Sequence, residues 1–250
     1  MRANSSARPA PVPARHRQDG AVLLILLAVL ALAGSSLLMS AFGANTVETR
    51  RAQRTQMLLA QATDALTGFA AANGRLPRPA VSATDGREQA LPCTSDEQCT
   101  GYLPWVALGI PGEDAWGKRL RYSVTPVFTS YDYQPASAAA TRTVRQRGAD
   151  GELRYVAGGP ACNAQARCAA LVVLSHGKNN YGVSAEGAEQ ANAGTANEDE
   201  TVNAAATAHF ITRVATSDPN TAGGEFDDQV AWLSLQALYA RMRAARTLPN

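Results

Sequence analysis

From Ala21 to Phe42 the chain carries no charged residue and consists mainly of Leu, Val and Ala. An apolar run of about 20 residues is long enough to cross a bilayer as a helix. Four arginines precede it, Arg2, Arg8, Arg15 and Arg17, against the single acid Asp19. Arginines on that flank keep the N terminus cytoplasmic and send the C-terminal part outward. The first twenty residues therefore carry +3, and since the whole chain is +2, the remainder is close to −1. A body with that charge has no basic surface to offer, and nucleic acid is not an expected partner.

Two ordinary readings compete for the apolar run. A secretory signal peptide has an apolar core of about 7–15 residues followed by a small-x-small cleavage site. The run here is longer, although Ala41-Phe42-Gly43 and Gly43-Ala44-Asn45 offer such sites. A plain signal anchor ahead of a periplasmic domain is the other reading. Against it stands the continuation, because Glu48 to Asn73 contains no proline and only Gly68 as a glycine. Leu58, Leu59, Ala62, Leu66, Phe69 and Ala70 recur at helical spacing, whereas Arg50, Arg51, Arg54, Gln61 and Asp64 fall largely elsewhere. Asn73-Gly74 with Pro77 and Pro79 then reads as a helix stop. The expectation is one helix of roughly 50 residues, about 75–80 Å long, apolar all round in its first half and amphipathic in its second. Two shorter helices meeting near Gly43 are the alternative.

The four cysteines form two pairs of equal spacing, Cys93 with Cys99 and Cys162 with Cys168. An even number beyond an export signal points to disulfides in an oxidising compartment, and the spacing does not suit Cys-x-x-Cys chemistry. Two local staples, Cys93–Cys99 and Cys162–Cys168, are preferred over the cross-pairings, which the sequence leaves open.

Around the apolar run the chain resembles the type IV pilin and type II secretion pseudopilin superfamily. The residues that carry the resemblance are the basic leader and the junction Gln18-Asp19-Gly20-Ala21-Val22-Leu23-Leu24-Ile25. Further on, Gly101-Tyr102-Leu103-Pro104-Trp105, Leu108 to Gly117 and the Glu225-Phe226-Asp227-Asp228 segment are similar to pilin-like heads. The resemblance implies cleavage between Gly20 and Ala21 by a prepilin peptidase, with N-methylation of Ala21. It also implies a bacterial inner-membrane subunit, single-pass, with a periplasmic head, extracted into a filament. Its partners would be other pilin-like subunits, the inner-membrane assembly platform, the prepilin peptidase and membrane lipid. Ile25 stands where most members carry a glutamate five residues after cleavage, which implies a minor or initiating subunit of a pilus or secretion filament. The corresponding organisation is a leader over 1–20, a transmembrane half-helix over 21–42, an amphipathic half over 43–75 and a head over 76–250.

The expected fold class is α+β, pilin-like: a long N-terminal helix packed on an antiparallel sheet with disulfide-stapled loops. Arg119–Val124, Leu171–Gly177 and Glu225–Leu233 read as strands, and Ser234–Ala245 as a closing helix. Trp105, Trp116 and Trp232 are expected to pack between helix and sheet. Ser175-His176-Gly177 lacks the Gly-x-Ser-x-Gly pattern of a nucleophile elbow and reads as a strand end, so no catalytic residue is expected and the chain is read as no enzyme. Acids at Glu198, Asp199 and Glu200 and at Glu225, Asp227 and Asp228 raise calcium, which needs several convergent oxygens. Asp227 and Asp228 are the first ligands to test, in a polar 185–224 stretch otherwise read as a solvated loop. A periplasmic binding module recognising a surface, DNA or an export substrate is the alternative function, and an anchored enzyme using Ser175 or His176 is a further one.

Overall fold

The computed structural model describes residues 19–163, 166–194 and 196–248. Most of the basic leader thus lies outside the described residues. The chain divides into two compact units, Met1–Thr49 and Arg50–Asn250. Helix α1 runs from Asp19 to Asn73, and Gly20 and Ala21 lie in its first turn. Gly74, at φ +72°, ends it by donating its N–H to the Ala70 carbonyl at 2.9 Å, a left-handed cap that glycine adopts without steric cost.

The expected transmembrane half is corrected here. Among the described residues, no helix is long and apolar enough to cross a membrane. The described side chains of the apolar run extend from Leu23 to Leu30. The side chains of the rest of Ala21–Phe42 lie outside the described residues. The expected single-pass placement in the inner membrane falls with it, and so does a fold defined by a transmembrane helix packed on a sheet.

The second unit is α+β. Strands β1 (Thr100–Tyr102), β2 (Arg121–Val124), β5 (Ala169–Ser175) and β7 (Gln229–Ser234) form an antiparallel sheet in the order β1-β2-β5-β7. A smaller sheet, ordered β4-β3-β6, combines β3 (Thr143–Arg147), β4 (Leu153–Ala157) and β6 (His209–Thr212), and its β3–β6 pair is parallel. Short helices α2 (Trp105–Leu108) and α3 (Glu198–Ala204) lie in the connections, and α4 (Leu235–Ala244) follows β7 directly. The Ser234 hydroxyl caps α4 by accepting the Ala237 N–H. The polar 185–224 stretch, expected as a loop, in fact holds α3 and β6.

All of β5 is buried, and its alternating side chains feed two cores. Leu171 and Val173 join Leu59, Ala62, Leu66 and Ala70 of α1, with Leu120 and Tyr122, in the larger one. Val172 and Leu174 join Val144, Ala157 and Phe210 in the other. The α1 stripe is thus narrower than its periodicity suggested, because Leu58 and Phe69 are only half-buried while Thr55 and Thr67 are buried. The tryptophans are also corrected. Trp105 and Trp116 lie outside both cores, and Trp232 packs at the edge of the smaller one. The aromatic centre is instead Phe128, edge-on to Tyr133 at 5.3 Å and to Tyr239 at 6.0 Å.

Cys93 bonds Cys99 and Cys162 bonds Cys168. The first staple closes the loop that carries Asp96, whose carboxylate accepts from the fully buried Arg142. Arg142 also donates to the Val124 carbonyl and the Thr141 hydroxyl.

Two substitutions on α1 test this packing by chemical denaturation. Leu66→Ala removes a fully buried side chain and is expected to cost about 2–5 kcal/mol. Gly68 is exposed and a Cβ there would meet nothing within 4 Å, so Gly68→Ala is expected to stabilise by up to about 1 kcal/mol.

Candidate functional site

The buried polar groups concentrate where β5 ends, facing the chain that enters β7. Ser175 donates its hydroxyl to Asp114 Oδ2 at 2.6 Å and accepts the Gly177 N–H at 3.0 Å. The next residue, His176, turns its Nδ1 to Asp228 Oδ1 at 3.3 Å. Adjacent in sequence, serine and histidine therefore engage different carboxylates, and no nucleophile–base pair forms between them. Gly177 is required at its position, since it sits at φ +57° and a Cβ would lie 2.4 Å from Asp227 Oδ1.

The segment before β7 answers with acids. Asp227 Oδ2 accepts the N–H groups of Lys178 and Asn179, at 3.1 and 2.8 Å. Asp228 Oδ2 accepts from the Asn203 amide at 2.8 Å, and Asn203 also clamps Ile211 of β6 through both its carbonyl and its amide. Glu200 of α3 accepts the Asp227 N–H on one oxygen and the Asn180 and Asn197 side-chain amides on the other. Carboxylate oxygens of Glu200, Asp227 and Asp228 thereby converge within 4.8 Å of one another. Comparison with family models, with curated proteins and with solved structures finds no match.

The calcium suggested by Asp227 and Asp228 can be tested on this donor set. Calcium takes six to eight oxygens. Both oxygens of Glu200 and of Asp228 are already committed to protein donors, and only Asp227 Oδ1 is buried without a partner. Lys118 brings a positive charge to the loop after β5. Its ammonium donates to the carbonyls of Asn179 and Asn180 at 2.8 and 2.9 Å and to that of His176 at 3.3 Å. Burial lowers the Lys118 pKa, and Asp227, Asp114, Asp228 and Glu200 oppose that shift. A tethered ammonium thus supplies the positive charge, and the residues present do not fit a resident calcium ion. Asp227 and Asp228 do come together, as the sequence suggested. Lys118 carries no sequence mark, because a buried lysine in an otherwise ordinary strand approach has no periodicity of its own, and Asp114 is marked only as part of the Leu108–Gly117 segment, without a role.

Burial, helped by the Glu200 and Asp228 carboxylates and opposed by the Asn179 N–H and Lys118, raises the Asp227 pKa from 3.8 to about 7. The folded chain then holds a proton that the unfolded chain releases near pH 4, so this residue makes stability fall as pH rises from about 4 to about 7 and adds no slope above that. Asp227→Asn is expected to flatten this part of the Tm–pH profile, and an unchanged slope would show that Asp227 is ionised throughout. Addition of millimolar calcium, or of EDTA, is expected to move Tm by no more than about 1 °C, and a larger rise with calcium would reinstate the metal.

Proposed function

We propose that the chain is a pilin-like structural subunit, a minor or initiating member of a pilus or secretion filament that assembles through its N-terminal helix. The observation that carries this reading is the exposure of Leu23, Leu24, Ile25, Leu26, Leu27, Val29 and Leu30, which are each 54–69% accessible on successive positions of α1. A helix that is apolar on every side needs cover from other apolar surfaces. Equivalent helices of neighbouring subunits, packed side by side, provide it. Further support comes from the sequence of the Gly20–Ala21 junction and from the disulfides, which suit a subunit functioning in an oxidising compartment. Assembly of this kind uses buried area rather than a catalytic residue. The partners are other pilin-like subunits and the assembly platform, with a prepilin peptidase acting first.

Co-expression with a prepilin peptidase followed by mass spectrometry is expected to give a mature chain starting at Ala21, methylated at its amino group. An intact N terminus, or a start near Gly43 or Ala44, would reject the reading. In the same system Leu27→Asp is expected to abolish co-assembly with pilin-like subunits while leaving the denaturation midpoint of the Arg50–Asn250 unit unchanged.

A further inference from the structure

Arg121 opens β2, paired across the sheet with Tyr102 of β1 on one side and Leu174 of β5 on the other. It lines a cavity of about 220 Å³ with Tyr102, Arg119, His176, Tyr181 and Glu189. Other buried or half-buried arginines have acidic partners, although the Nε atoms of Arg75, Arg142 and Arg213 are, like that of Arg121, buried without a hydrogen bond. Arg142 meets Asp96, Arg213 and Arg147 both meet Asp199, and Arg75 meets Glu88. Arg119, across the cavity, gives its nitrogens to Glu113 and to the Ala83 and Ala185 carbonyls and lies over the Trp105 ring. Arg121 alone in this group makes no hydrogen bond and no ion pair among the described residues, and its Nε is buried without a partner. The acid it feels is Asp228, whose two oxygens are already held by His176 and Asn203.

Arg121 is half-buried, and only its Nε is shut off from water; partly burying a guanidinium without an anion is costly, and native structures pair such groups. Burial does depress the Arg121 pKa, with only partial relief from Tyr102 and Asp228. The guanidinium fork fits a carboxylate through two parallel hydrogen bonds. The cavity is smaller than a drug-sized pocket, and Glu189 on its wall disfavours anions of higher charge. We propose that this cavity is a binding site for a small carboxylate, anchored by Arg121, with the Tyr102 and Tyr181 phenols beside it. The carboxylate belongs either to a free small molecule or to the C-terminal end of a protein partner. This inference is independent of the filament reading, which concerns α1.

Thermal unfolding of the full chain at pH 7.5 tests it, with sodium acetate compared against sodium chloride at equal ionic strength and against inorganic phosphate. Acetate is expected to raise Tm by a few degrees as its concentration passes well beyond Kd, chloride and phosphate to do less, and the Gly182 amide at the cavity wall to shift and saturate by NMR. A tripeptide with a free C terminus that binds at least tenfold more tightly than acetate, and loses this on amidation, would assign the site to a protein end. A free amino acid binding more tightly than the peptide would assign it to a small molecule. Arg121→Met is expected to melt at or above the wild-type temperature and to lose the acetate response. Arg121→Lys is expected to bind acetate at least tenfold more weakly. Equal effects of acetate and chloride with no saturable Gly182 shift would overturn the proposal. So would a fall of several degrees in Arg121→Met without an acetate response in the wild type, because it would make the charge structural.

Discussion

The fold depends on one strand being buried on both faces. β5 gives up all contact with water along its length, and that is tolerable only if every backbone group finds a partner in the ladder and every side chain finds apolar company. Antiparallel neighbours β2 and β7 meet the first requirement. The α1 stripe meets the second on one face and the β4-β3-β6 sheet on the other. The remaining elements are arranged around this strand: α4 follows directly from β7, and the buried acids gather where β5 emerges.

That emergence point is also where the polar network is densest, and the two facts are connected. A strand leaving a two-sided core delivers its first loop carbonyls into a low-dielectric region, where they need donors. Lys118 supplies three hydrogen bonds from one atom, and the acids keep its charge in place. The loop and the β7 approach are thereby fixed to each other by ionic and hydrogen-bonded contacts rather than by packing.

The elements that the sequence disclosed are those whose burial follows a simple period. The end of α1 at Asn73-Gly74 and α4 lie where spacing and turn residues put them, and the strands expected over Arg119–Val124, Leu171–Gly177 and Glu225–Leu233 appear as β2, β5 and β7 with ends shifted by up to four residues. The second sheet was not legible because its strands turn few apolar residues inward. In β3 the residues are Thr143, Val144, Arg145, Gln146 and Arg147, which look like a solvated stretch. Helix α3 is hidden for a sharper reason, since the residues it buries are Asp199, Glu200 and Asn203. A helix that buries acids reverses the pattern by which helices are read. The pairing of Glu200 with the Asp227–Asp228 segment followed from that reversal and could not be seen from either segment alone. The apolar run from Ala21 remained the loudest sequence feature, yet the described residues did not sustain a membrane span.

The Cys93–Cys99 loop has a further consequence. Asp96 sits inside the stapled ring and neutralises the fully buried Arg142. Closing the ring narrows the places Asp96 can occupy before the core forms, while Arg142 cannot enter that core comfortably without its counter-charge. The covalent chemistry of the surface loop and the electrostatics of the interior are therefore tied together. A chain kept reduced would reach its final packing step with the counter-ion of Arg142 untethered.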